Sequence, residues 1–139
     1  MQKYETKVVW SEGRLGELYA NETRIKCSPP QNFRGYDNTM TPEHAFVGSA
    51  EMCICMTFLT MIEKAGVDLS SYECEAEGLL EKVDGKLKFT KIIIRPRIKV
   101  KDEGDVVKAK EAIKKAEIYA LVTNSMNTKV IIEADIGIE

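Results

Sequence analysis

The sequence predicts an α+β fold of mostly antiparallel strands around one long buried helix. Period-two alternation recurs near the start, in the middle and at the end of the chain. An apolar stretch of helical length, with capping chemistry at its start, interrupts the strands. The 139 residues carry 44% hydrophobic and 30% charged side chains, a globular balance in a length that suits one domain. Residues 1–139 are therefore read as a single domain.

Residues 3–10 alternate, with Tyr4, Thr6, Val8 and Trp10 on one side and Lys3, Glu5 and Lys7 on the other, which predicts a half-buried strand. Ser11-Glu12-Gly13-Arg14 is a turn, and two short strands follow at about 16–20 and 24–27. Ser28-Pro29-Pro30 ends this block, and the polar stretch 31–40 is a loop. Thr41 can cap a helix, Pro42 suits its first position, and Glu43 complements the positive end of its dipole. That helix runs to about Lys64, with Gly66 as its stop. From 46 to 62 it is apolar nearly all round, Glu51 being the only charge, so burial on all sides is expected. At ~1.5 Å per residue it is longer than ~30 Å, more than one chain of this size encloses, which points to a homodimer that sandwiches it.

Residues 72–80 alternate again, with Glu73, Glu75 and Glu77 opposite Cys74 and Ala76. Asp84-Gly85 is a hairpin turn, and the return strand covers about 87–100, where Pro96 suggests an edge or a bulge. Gly104-Asp105 opens a surface helix over about 106–119, a short helical turn follows around 122–126, and a last strand covers 130–138.

Lys and Arg number 20 against 22 Asp and Glu, a net charge of -2, which argues against a nucleic-acid partner. The start of the chain lacks an apolar leader, and the apolar run 52–62 is about half a membrane span, so a soluble cytoplasmic protein without a membrane partner is expected. A single histidine, His44, leaves no multi-histidine metal site, and the scattered glycines form no phosphate loop, so neither a metal nor another cofactor is expected. The four cysteines are Cys27, Cys53, Cys55 and Cys74. In a reducing compartment they are free thiols by default. Cys53 and Cys55 lie about 200° apart around the helix and cannot pair without breaking it. A nucleophilic cysteine needs a nearby cation, and Arg14 and Arg34 are the loop candidates.

Thr41-Pro42-Glu43-His44, a run of small residues, and then Met52-Cys53 resembles the Pro-Glu…Cys motif of the OsmC/Ohr family of osmotically inducible and organic hydroperoxide resistance proteins. Phe33-Arg34-Gly35, the stretches 80–85 and 90–92, and Val122-Thr123-Asn124 resemble further family segments, so the likeness spans nearly the whole chain. It implies an OsmC-like fold, an intertwined homodimer, and thiol-dependent reduction of organic hydroperoxides or hydrogen peroxide. By the match, Cys53 is the peroxidatic thiol, Arg14 its activator and Glu43 the residue that orients the arginine. A lipoyl or other small thiol would be the reductant.

The departures are specific. Ala120 stands where the family has its second cysteine, and Leu121 replaces the following proline. That predicts a one-Cys cycle unless Cys27, Cys55 or Cys74 substitutes. Glu51 and Met52 precede Cys53 where small residues are usual, and a carboxylate so close would raise a thiol pKa unless it points elsewhere. The other readings are a family protein without peroxidase activity, serving as a small-ligand binder or structural dimer, and a metal-binding or redox-sensing Cys-x-Cys.

Overall fold

The computed structural model describes residues 1–139, which form two compact units, Met1–Phe46 and Val47–Glu139.

In the first unit, β1 (Lys7–Glu12), β2 (Leu15–Ala20) and β3 (Thr23–Cys27) form an antiparallel meander. Asn21 and Glu22 both take positive φ, the geometry that matches a two-residue hairpin to strand twist. The first strand begins at Lys7 rather than Lys3, and all six of its residues are exposed, Trp10 at 72%. This corrects the half-buried strand expected from alternation, because the pattern reports which side chains share a face and cannot supply the layer that covers it. After β3 the chain makes one short 3-10 turn, Gln31–Phe33. Arg34 closes that turn in the left-handed region at φ 68°. A Cβ on Gly35 would overlap the Pro29 carbonyl oxygen, so the turn requires glycine there. Hydrogen bonds Ser28 N–H to Met40 O (3.1 Å) and Met40 N–H to Lys26 O (2.8 Å) tie the end of the loop back to β3.

Helix α1 (Pro42–Lys64) starts in the first unit and runs through the second. The Thr41 hydroxyl accepts the His44 N–H at 3.0 Å, the expected cap, and Gly66 at φ 71° is the expected stop. Ala50, Ile54, Phe58 and Ile62, one per turn, are buried. The rest of the helix is not, and this corrects the expectation of burial all round: Met52 and Met56 are 61% and 53% exposed. One chain covers one stripe. By length and composition the whole helix is long and apolar enough to cross a membrane, more than the run 52–62 suggested.

The second unit's sheet has β5 (Lys86–Val100) at its centre, with β4 (Leu69–Val83) antiparallel on one side. On the other side β6 (Lys129–Ile132) and β7 (Asp135–Ile138) follow in line, both parallel to β5. Two corrections follow. The single final strand is two strands, and Pro96 sits in the central strand rather than at an edge. The two findings have one cause: the break falls opposite Arg95 and Pro96, and Pro96 has no N–H to give to a ladder. Glu133 bridges the gap, donating its N–H to Ile94 O at 2.8 Å and accepting Arg95 Nε–H at 3.0 Å.

Ile92, Ile94, Ile98 and Val100 of β5 are fully buried, and their β4 partners include Ala76 and Tyr72. Phe58 of α1 stacks at 5.5 Å on Tyr72 of that same face. The opposite face carries ion pairs of Arg95 with Glu77 and Glu133, and of Arg97 with Glu73 and Glu75. Helix α2 (Glu103–Tyr119), capped by Asp102, buries Ala109, Ala112, Ile113 and Ala116 and packs on β7 and β5. Ala120 joins it to the one-turn helix α3 (Leu121–Asn124).

Candidate active site

Arg14 sits in the β1–β2 turn, where its backbone N–H donates to Tyr36 Oη at 3.3 Å. Glu43 sits in the first turn of α1. Both line one cavity of about 600 Å³ in the first unit, whose other walls include Val8, Trp10, Cys27 and Phe33. Arg34 is not among its lining residues, so of the two arginines singled out by sequence the cavity takes Arg14. Glu43 Oε1 is buried and has no hydrogen-bond partner. A buried acceptor left open is costly, and a bound donor would relieve it. An apolar chamber holding one guanidinium and one orphan carboxylate oxygen suits a small molecule with an apolar body and a polar end.

Cys27, named from the sequence only as a possible substitute for the second cysteine, also lines this cavity. It ends β3 directly before Ser28-Pro29-Pro30, opposite Gly16, and a Cβ on Gly16 would come within 3.6 Å of its Sγ. A strand's last residue before a rigid proline pair borders the loop, and that position was the available signal.

Thr41 does more than cap. Its hydroxyl, which accepts the His44 N–H, also shares a hydrogen bond with His44 Nδ1, 2.7 Å away. This bond fixes the orientation of the imidazole ring.

Cys53 belongs to the second unit. It is half-buried at mid-helix, and its carbonyl accepts the Thr57 hydroxyl at 2.7 Å. All four cysteines are free thiols. Cys55 faces Tyr72, and burial pushes its thiol above the usual range, with Glu51 adding to the rise. Burial, with the Glu51 carboxylate beside it, pushes Cys74 up to about 12. Burial likewise raises the Tyr72 hydroxyl. Glu51 therefore acts on Cys55 and Cys74. Position 120 offers no thiol chemistry: Ala120 is fully buried, and its N–H closes α2 on Ala116 O at 2.9 Å. No group of three or more His, Cys, Asp or Glu side chains converges as metal ligands would.

The chain is similar to the uncharacterised protein YmaD of Bacillus subtilis, with 24% identity over 96% of this chain and 92% of that one. An OsmC-like protein of unknown function from Vibrio cholerae has the same fold, with a TM-score of 0.88 and 21% identity over 97% of this chain and all of the other. An organic hydroperoxide resistance protein from Elizabethkingia anophelis superposes with a TM-score of 0.74 and 14% identity, over all of this chain and 98% of the other. The family model described as OsmC-like protein matches residues 35–135, from Gly35 within the β3–α1 loop to Asp135, the first residue of β7. With that match and that fold, the chain belongs to the OsmC-like protein family.

Proposed function

We propose that the protein is a thiol-dependent peroxidase that reduces organic hydroperoxides or hydrogen peroxide through Cys53. The observation that carries this reading is the apolar cavity in which Arg14 and Glu43 stand together. Solved relatives of the same fold from Elizabethkingia anophelis and Legionella pneumophila are named organic hydroperoxide resistance proteins, which supports it. The Cys53 thiolate attacks the outer peroxide oxygen, the O–O bond breaks, and the alkoxide leaves and takes a proton as the alcohol. Cys53 is left as a sulfenic acid. Arg14 stabilises the thiolate and the developing alkoxide, and Glu43 holds the guanidinium in place. With alanine at position 120, an external thiol condenses with the sulfenic acid, releasing water. A second thiol then attacks the mixed disulfide and frees Cys53. The cytoplasm, a reducing compartment, supplies such a lipoyl or small-thiol reductant.

The working form is a homodimer. Glu43 and Cys53 are ten residues apart on one helix, about 15 Å along its axis. A site that uses both therefore draws them from two copies, and the second copy also covers the exposed Met52 and Met56 face. The buried alanine at 120 favours one other reading, a dimer that binds a small apolar ligand without turning it over.

Reduction of cumene hydroperoxide and of hydrogen peroxide, with dihydrolipoamide and with dithiothreitol, separates the two. Cys53→Ser should lose at least about a hundredfold in turnover. Equal rates in wild type and variant would reject the peroxidase.

A further inference from the structure

We infer that Tyr36 is a positioning residue for Arg14, its hydroxyl fixing the peptide from which the arginine side chain departs. This role rests on the proposed function, in which Arg14 activates Cys53. The peptide that joins Gly13 to Arg14 is held at both ends. Its carbonyl accepts the Trp10 indole N–H at 2.9 Å, from within the same hairpin. Its N–H donates to Tyr36 Oη at 3.3 Å, from 22 residues along the chain. A peptide is planar, so a hydrogen bond at each end fixes its rotation and, with it, the direction in which Arg14 leaves the turn. Gly13 makes room for this arrangement. It takes φ 52°, and a Cβ there would overlap Tyr36 Oη.

Tyr36 is itself fastened at its backbone. Its N–H donates to Ser28 Oγ at 3.2 Å, and its carbonyl accepts the Thr39 hydroxyl at 3.0 Å. The Ser28 and Thr39 hydroxyls share a further bond of 2.6 Å. Ser28 is buried and lines the cavity beside Cys27. The Tyr36 ring, by contrast, is 45% exposed, so core packing does not account for a tyrosine at this position. The hydroxyl does account for it. The ring spans from the β3–α1 loop to the β1–β2 turn, and its bond to Arg14 ties together two stretches that wall the cavity. Phenylalanine would keep the span and lose the tie.

The test joins hydrogen exchange at the Arg14 amide, read by heteronuclear NMR of the full-length protein, to peroxide kinetics. Tyr36→Phe should speed exchange at Arg14 by about three- to tenfold and leave the amides of β2 unchanged. With cumene hydroperoxide it should lower kcat by about three- to tenfold and keep KM within about twofold, because Arg14 acts in the transition state. Arg14→Ala/Tyr36→Phe should turn over at the rate of Arg14→Ala, since Tyr36 acts through the arginine. Gly13→Ala, whose methyl displaces the Tyr36 hydroxyl, should reproduce Tyr36→Phe in both measurements. Unchanged Arg14 exchange in either single variant overturns the assignment, as does a Tyr36→Phe loss of turnover that is equal in the wild-type and Arg14→Ala backgrounds. Exchange needs no peroxide turnover, so the role of Tyr36 and the peroxidase activity fail separately.

Discussion

The two units divide the labour of the chain. Every buried apolar side chain of the core lies at or beyond Ala50, whereas the buried polar ones, Ser28 and Thr41, lie in the first unit and are hydrogen-bonded there. The second unit is built like a core, with isoleucines of the central strand and an aromatic stack at its heart. The first unit spends its aromatic and apolar side chains on an open sheet and on the walls of a cavity. The packed core and the cavity walls are thus separable by position, and aromatic substitutions of similar size should have opposite signatures in the two units.

Deleting an aromatic ring from each unit tests this most severely. Phe58 is fully buried, and Phe58→Ala should cost about 3–5 kcal/mol of unfolding free energy, seen in urea titration. Trp10 gives its indole N–H to Gly13 O at 2.9 Å but is otherwise open, so Trp10→Ala should cost no more than about 1 kcal/mol. It should weaken substrate binding instead, read as a raised KM for cumene hydroperoxide. A large loss of stability in Trp10→Ala would undo the division.

Within the first unit, the two arginines can be set against each other. Arg14→Ala should lower peroxide turnover by about a hundredfold, the usual scale for one charge-stabilising group. Arg34→Ala, outside the cavity, should leave turnover within about twofold of wild type. A reversed order would move the activating role to Arg34.

The smallest effect concerns alkaline pH. Cys55, Cys74 and Tyr72 are all raised by burial, Cys74 to about 12, so folding favours their protonated forms. Their contribution is complete below about pH 8.5, where an unfolded cysteine holds its proton, and is lost as pH climbs towards 12. Thermal melts should therefore fall between pH 9 and 11, and fall less in Cys74→Ala. An equal fall in the variant would clear Cys74 of that contribution.

Much of this was legible in the sequence because it is local. Thr41-Pro42-Glu43, Gly66 and Asp84-Gly85 carry their own conformational signals, and each stands where those signals put it. Alternation through Glu73, Glu75 and Glu77 gave the right face because their partners, Arg95 and Arg97, lie on the adjacent strand. What was not legible depends on neighbours distant in sequence. The split of the last strand arises from Pro96, more than thirty residues earlier, acting across the sheet. The exposure of β1 depends on a covering layer about which its own residues say nothing. At the candidate site, Glu43 was singled out by the Pro-Glu…Cys motif and Arg14 as a cation in a turn, and both line one cavity. Cys27 joins their cavity only through the fold of the loop that follows it.

The uncovered face of α1 has a consequence for the protein's life in solution. In the homodimer proposed above, a second copy covers this face, and association and folding become one equilibrium. Dilution then acts as a denaturant and abundance as a stabiliser. For such a dimer, a newly made chain at low copy number is exposed to aggregation until it meets another of its kind.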